Sequence, residues 1–187
     1  GAGFRKHEDL LSGYLPRDHD LPQKFFDVAE KVKERRGFAI QEFRAKREMR
    51  RWIPVAARVL QAAFSDSDEF CPFTPEEFKQ MVDQLLLVAE PRLIKLVLKD
   101  GEPAGFLFAF SDISAALQRT GGRIWPFGWI HILREFRRTD WVNVNGLGLL
   151  PQHQGMGASA VLYAELAKTL RASQFLHADV VQVGEQN

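Results

Sequence analysis

The chain is expected to fold as an α/β domain with a mostly antiparallel central sheet and helices on both faces. Three observations predict this. Residues 92–110, "RLIKLVLKDGEPAGFLFAF", place two apolar runs around Asp100-Gly101, a pair that readily takes the positive φ of a hairpin turn. Those runs are almost continuously apolar, so both faces of the sheet need cover. Further on, "WVNVNGLGLL", a glycine loop, "GASAVLYAELAKTLRAS" and "LHADVVQV" read as one strand–helix–strand crossover.

The elements follow in order. Residues 1–20 mix charge with Gly and Pro and read as a loosely held lead-in. "LPQKFFDVAEKVKERRG" is a helix, with Asp20 as its cap, Pro22 in its first turn and Gly37 as its stop. "FAIQEFRAK" is a strand. "REMRRWIPVAARVLQAAFS" is helical, and Pro54 marks a kink or a late start. "TPEEFKQMVDQLLLVAE" carries a Thr74/Glu77 capping box with Pro75 at the first helical position. Residues 111–140 are a long connection, with short helices near 112–119 and 127–138 broken by Gly121, Gly122 and Pro126. In the last helix Ala158, Leu162, Leu166 and Leu170 recur every four residues and bury one face. The organisation is a lead-in and helix over 1–36 followed by a main domain over 37–187.

Composition narrows the function classes. The 187 residues are 45% hydrophobic and 26% charged, with net charge +1. Residues 1–60 hold 14 Lys+Arg against 9 Asp+Glu, and residues 61–187 hold 11 against 15. Solvated helix faces account for that asymmetry, and no nucleic-acid partner is expected. Cys71 is the sole cysteine, so no intramolecular disulfide forms, and it has no visible partner base. No apolar run reaches membrane-spanning length and no signal-peptide core opens the chain, whose "GAG" start reads as a cloning remnant or a processed end. A cytoplasmic location with no membrane partner is expected. His7, His19, His131 and His177 show no metal-ligand spacing, so no metal is expected; His131 reads as a core or interface residue.

The stretch "LLPQHQGMGASAVLYAEL", residues 149–166, carries the chemistry. "GMGASA" fits the dinucleotide pattern G-x-G-x-x-A, but Pro151–Gln154 separate the strand from Gly155, and only one strand follows. No Lys-Ser/Thr follows the glycines, which excludes a Walker loop. A plain strand–helix turn is the simplest alternative. Unpaired amides at a helix start, glycines that admit close approach and the helix dipole together suit a pyrophosphate.

Taken whole, an apolar strand, Pro151, then Gln152-x-x-Gly155-x-Gly157 and a helix of small residues resembles the acyl-CoA loop of the GCN5-related N-acetyltransferase family. The resemblance covers residues 37–187, and its specific part is 146–158. It implies transfer of an acetyl group from acetyl-CoA to an amine by direct attack. The backbone of Leu147, Gly148 and Leu149, leading into Leu150, would pair with the pantetheine arm. Gly146 or Gly148 would mark a bulge that splays the strand, and the Leu149 N–H would polarise the thioester carbonyl. The amides of Gln154, Gly155, Met156, Gly157 and Ala158 would hold the pyrophosphate, with Gln152 where the family often has a basic residue. His153 would supply charge when protonated, and Asn187 would reach the pantetheine.

That family continues with a helix and two strands that often supply a tyrosine acid, so the resemblance implies a C-terminally incomplete domain. Tyr163 is expected on the helix, away from the sulfur. Glu185 is the first candidate base and Glu42 the second, each weighed against a solvated surface acid. A non-catalytic acyl-CoA-binding module is the alternative function. The acceptor is expected to be a small-molecule or peptide amine. Trp125, Phe127, Trp129 and Ile130, followed by Arg134, Arg137 and Arg138, would line an acceptor pocket or lid, form a homodimer contact, or lie on a membrane surface.

Overall fold

A computed structural model describes residues 10–19, 21–63 and 73–184 of the chain. Among these residues six strands form one sheet: β1 (Leu10–Pro16), β2 (Phe38–Gln41), β3 (Ile94–Lys99), β4 (Glu102–Ser111), β5 (Trp141–Leu149) and β6 (His177–Gly184). Their spatial order is β1-β6-β5-β4-β3-β2, and every neighbouring pair is antiparallel except β5–β6. Six α-helices lie among the described residues: α1 (Gln23–Arg36), α2 (Lys46–Ala63), α3 (Pro75–Val88), α4 (Ser114–Thr120), α5 (Gly128–Arg138) and α6 (Ala158–Arg171). The expected fold class, a mixed and mostly antiparallel sheet covered on both faces, is the one observed.

Local chemistry explains most element boundaries. Asp100 and Gly101 both take positive φ, 52° and 87°, and close the β3–β4 hairpin. Thr74 accepts from the Glu77 amide while the Glu77 carboxylate accepts from the Thr74 amide, a complete capping box at α3. Gly37 stops α1 in the left-handed conformation. Asp20 lies outside the described residues, and α1 starts one residue after Pro22.

Alternation along the strands divides the core in two. Val97, Leu107, Val142 and Val144 face α6, where Leu162, Leu166 and Phe175 complete a buried cluster. Leu96 and Phe106 point the other way, toward Met49 and Val59 of α2 and Val82 and Leu86 of α3. Each fully buried aliphatic side chain stabilises the fold by about 1.5–3 kcal/mol. Helix α1 packs on α6 through Phe26, Ala29 and Ala164.

Three expectations need correction. Residues 10–16 are not a loose lead-in: they form β1, which runs antiparallel to β6 from Leu10↔Gly184 to Pro16↔His177. Without β1 the outer edge of β6 would present unpaired backbone groups. The place beyond β6, where the family resemblance implied missing C-terminal strands, is therefore taken by the chain's own first strand. Pro54 neither ends nor delays α2, which runs from Lys46 through it to Ala63 with the proline exposed. Strand β2 is only four residues long, because the chain leaves the sheet after Gln41.

Candidate functional site

The β5–β6 ladder is short. Parallel pairing runs from Trp141↔His177 to Val144↔Val180 and stops, although β5 continues to Leu149 and β6 to Gly184. The cause is visible on β5. Phe108 pairs with Gly146 but Ala109 pairs with Val144, so Asn145 is an extra residue, a bulge immediately before Gly146. Beyond it β5 stays with β4 while β6 stays with β1, and a cleft opens between them.

Backbone alternation tells which groups face that cleft. The Leu150 N–H donates to the Ala104 carbonyl at 2.9 Å, which makes Leu150 and Ala104 a hydrogen-bonded pair. In an antiparallel ladder such pairs alternate, so Gly148 is bonded to Phe106 and Gly146 to Phe108. The N–H and C=O groups of Leu147 and Leu149 are then turned toward the cleft. Of the residues expected to pair with an extended arm, Leu147 and Leu149 have the right orientation, and Gly148 is engaged by β4.

The glycines have packing reasons as well. A Cβ on Gly148 would stand 2.7 Å from Cζ of Phe106, and a Cβ on Gly146 would collide with the Phe108 ring. Phe106 and Phe108 stack at 5.5 Å with an interplanar angle of 6°, and Phe108 contacts Phe110 at 5.5 Å. Phe106 and Phe108 of β4 thus lie across the bare backbone of β5.

After β5 the chain makes a 3-10 turn at Pro151–His153 and enters α6 through Gly155 (φ 68°) and Gly157 (φ 82°). The amides of His153 and Gln154 are used inside that turn, donating to Leu150 and Pro151 carbonyls at 2.8 and 3.2 Å. The Gln154 amide is therefore not turned outward with its neighbours. Gln152 is exposed, and the Gln154 side-chain amide reaches the Leu149 carbonyl at 3.5 Å. The amides of Gly155, Met156, Gly157, Ala158, Ser159 and Ala160 have no hydrogen-bond partner among the described residues, and the first intrahelical bond is Val161 N–H to the Gly157 carbonyl. Such a run at a helix start suits an anion. His153 turns inward, edge-on to Phe38 at 6.4 Å, with Nδ1 buried and without a partner among the described residues.

The two sides of the cleft differ. On the α6 side an apolar groove of about 250 Å³ runs between α6, the end of β1 and β6, with Leu15, Tyr163, Leu166 and Leu170 in its walls; it meets the cleft only where the ladder ends, at Val144 and Val180. Burial raises the Tyr163 phenol above its ordinary value, and its hydroxyl has no partner among the described residues. On the opposite face Tyr14, Trp141 and His177 form a stack across β1, β5 and β6, with the Trp141 and His177 rings 4.5 Å apart. Asp179 lies on this face too, because Ala178 and Val180 on either side of it are packed against the α6 cluster. It stands opposite Asn143 and Tyr14, one residue before the ladder ends, and its carboxylate has no ion-pair or hydrogen-bond partner among the described residues.

Other candidates lie elsewhere. Glu42 follows β2 near the far edge of the sheet, where it pairs with the buried Lys95 amine at 3.1 Å, three strands from the cleft. His131 is exposed on α5 rather than set in a core. Glu185, Asn187, Cys71 and His7 lie outside the described residues. Among the described residues no group of three or more His, Cys, Asp or Glu side chains is placed to hold a metal ion, and no helix is long and apolar enough to cross a membrane. Asp179 was legible in principle: a single carboxylate inside the apolar run "LHADVVQV" has to turn away from the covered face.

The chain is similar to two curated bacterial proteins. It is 27% identical over 134 residues to the bacterial ceramide synthase of Caulobacter vibrioides, a match that covers 70% of this chain and 34% of that protein. It is 27% identical over 136 residues to protein YghO of Escherichia coli, covering 70% and 33%. The chain thus spans about a third of the length of these relatives. In structure it is similar to the C-terminal DUF2156 domain of a protein designated a lysylphosphatidylglycerol synthetase from Agrobacterium fabrum, with a TM-score of 0.59, 8% identity, and coverage of 92% of this chain and 46% of that one. That likeness shows a shared fold. No family model matches the chain. These findings correct the expected membership of the GCN5-related N-acetyltransferases, since the relatives found by sequence carry other names and no model of that family matches.

Proposed function

We propose that the chain carries an acyl-transfer site in the cleft between β5 and β6, which joins an acyl group from an acyl-CoA to the amine of a long-chain lipid. The observation that carries this reading is the end of the β5–β6 ladder at Val144/Val180, beside the unpartnered amides of Gly155–Ala160. The pyrophosphate would rest on the amides, the thioester arm would run back along Leu149 toward Leu147, and the Leu147 N–H, turned to the cleft and nearer than Leu149 to Asp179, would stabilise the oxyanion as the thioester carbonyl is attacked. The residues present fit such a donor through backbone groups rather than basic side chains.

In the proposed reaction the amine nitrogen attacks the thioester carbonyl, the carbon–sulfur bond breaks, and the thiolate leaves while a base takes the ammonium proton. Asp179, on the open face one residue before the cleft, is the base this geometry favours. Glu185, farther along the same direction of chain, is the second candidate. Tyr163, kept neutral by burial in the groove wall, is the candidate proton donor to the thiolate. The apolar groove and the name of the Caulobacter relative support a long acyl chain or lipid amine over an acetyl group and a small or peptide amine. Ceramide is itself an amide.

The test is thermal shift with CoA, acetyl-CoA and palmitoyl-CoA, followed by free-thiol release on adding a long-chain amino alcohol. Stabilisation with thiol release supports the reading, and Asp179→Asn should then abolish release while Glu185→Gln retains it. Stabilisation without release by any amine would favour an acyl-CoA-binding module. No stabilisation by any CoA species would overturn both.

A further inference from the structure

The segment between β4 and β5 is a built platform rather than a loose loop. Helices α4 and α5 pack on each other through the buried Ala116 and through Gly128, where a Cβ would collide with the Arg123 carbonyl. The Arg119 guanidinium crosses between the helices to the largely buried Glu135 carboxylate at 2.7 Å. The Trp129 indole N–H is satisfied by the Pro126 carbonyl at 2.9 Å.

On this fixed frame, apolar side chains point into solvent. Trp125 is 82% exposed and Phe127 69%, and on α5 Trp129, Ile130 and Leu133 are each about half exposed. Burial of Gly128 and Glu135 sets the inner side of α5, so Trp129, Leu133 and Ile130 form a continuous outward stripe. Next to that stripe stand Arg134, Arg137 and Arg138, with Arg123 on the preceding turn. None of the four guanidinium groups has an ion-pair or hydrogen-bond partner among the described residues. Acids are absent from the outer surface of the segment: Glu135 is paired inward, and Asp112 and Asp140 sit at the two roots, where it joins β4 and β5.

An outward stripe of Trp, Leu and Ile beside unpaired arginines is the chemistry of an interfacial helix on an anionic bilayer. We propose that the α4–α5 platform docks this protein on a membrane surface rich in anionic lipid, with Trp125, Phe127 and the α5 stripe entering the headgroup boundary and the arginines facing lipid phosphates. The unpaired positive charge with no compensating acid is what selects a bilayer over a second copy of the chain, which would bring four more arginines to the same surface. This inference does not depend on the proposed acyl transfer. It is consistent with it, because β5 begins at the platform and ends at the glycine loop, about 27 Å away by the rise of a nine-residue strand.

The experiment is flotation of the 187-residue protein with phosphatidylcholine vesicles and with vesicles containing phosphatidylglycerol, with tryptophan emission and light scattering alongside. Binding to the anionic vesicles, a blue shift in emission, and a loss of affinity with added salt are expected. Arg134→Gln, Arg137→Gln and Arg138→Gln should each weaken binding roughly fivefold. Trp125→Ser/Leu133→Ser should release the protein from vesicles while its melting temperature falls only slightly, because Trp125 is mostly in solvent and Leu133 about half. Equal binding to both vesicle types, or binding that survives both sets of substitutions, overturns the proposal. So does a fall in solution mass in Trp125→Ser/Leu133→Ser with vesicle binding intact, which would make the platform a contact between copies.

Discussion

The Tyr14 hydroxyl and His177 Nδ1 lie 2.8 Å apart and join the first and last strands across 163 positions of sequence. Asp140 Oδ2 lies 3.9 Å from His177 Nε2 and favours the proton on that nitrogen, so Nδ1 accepts from the tyrosine. Tyr14→Phe is expected to cost about 0.5–1.5 kcal/mol, at the low end because Tyr14 is half exposed. Tyr14→Ala should cost more, since it also removes the stack on Trp141 at 5.6 Å. Denaturant melts of the two variants measure the difference, and nitrogen NMR of His177 should report the Nε2–H tautomer. Equal costs for the two substitutions would mean that the ring contributes nothing.

Gly155 and Gly157 share a left-handed backbone but not their surroundings. Nothing lies within 4 Å of a Cβ added at Gly155, whereas one at Gly157 would stand 3.2 and 3.3 Å from the methyls of Val32. Gly155→Ala should therefore cost about 1–2 kcal/mol, the conformational penalty alone. Gly157→Ala should exceed it and should also weaken any acyl-CoA thermal shift, because it displaces α1 from the start of α6. Thermal melts with and without palmitoyl-CoA check both orderings.

What the sequence disclosed follows from how local each cause is. The Asp100-Gly101 hairpin, the Thr74/Glu77 cap and the amphipathic α6 rest on residues a few positions apart, and all three stand where their patterns put them. Strand β1 rests on β6, more than 160 residues away, so Gly13 and the flanking charges read as a lead-in. The glycine loop was legible as a site where backbone must come close, but its internal turn, which takes up the Gln154 amide, was not. Gly146 and Gly148 were read through a bulge alone. The bulge is real, at Asn145, yet both glycines also answer to phenylalanines on a strand that the sequence places forty residues earlier.

That pairing gives a sharper test. Gly148→Ala would press a methyl against Phe106, whose ring is stacked on Phe108, and would bring it to 3.4 Å from Cβ of Ala63 on α2. Overpacking of this kind should cost about 1–3 kcal/mol. Phe106→Leu removes the ring edge, so the Gly148→Ala/Phe106→Leu double variant should be more stable than the two single costs predict, with a coupling of about 0.5–3 kcal/mol. A strictly additive result by urea melts would mean that the strand backbone, not the ring, absorbs the methyl.

The pH dependence of stability should be set in part by four side chains that clamp α1 to α6. Lys168 Nζ lies 2.6 Å from Glu30 and 3.0 Å from Glu165, and Lys33 reaches the same two carboxylates at 3.3 and 3.1 Å. The hydrogen bond from Lys168 holds the Glu30 carboxyl below its ordinary 4.5; burial pushes Glu165 up, but the bonds from Lys168 and Lys33 outweigh it and leave it lowered. Carboxylates with lowered folded values stabilise the fold above pH 4.5 and lose that contribution as pH falls through those values. Lys168 is pulled down by burial but raised overall, above 10.5, by the bonds it donates to Glu30 and Glu165, so its contribution is present below pH 10.5 and lost as pH rises through the folded value. Glu30 and Lys168 are each 43% exposed, so solvent screening keeps the effect small. Lys168→Met should flatten the fall in melting temperature below pH 4.5 without removing it, because Lys33 still holds both carboxylates. An unchanged acid slope in Lys168→Met would mean that the acid sensitivity arises away from the α1–α6 contact.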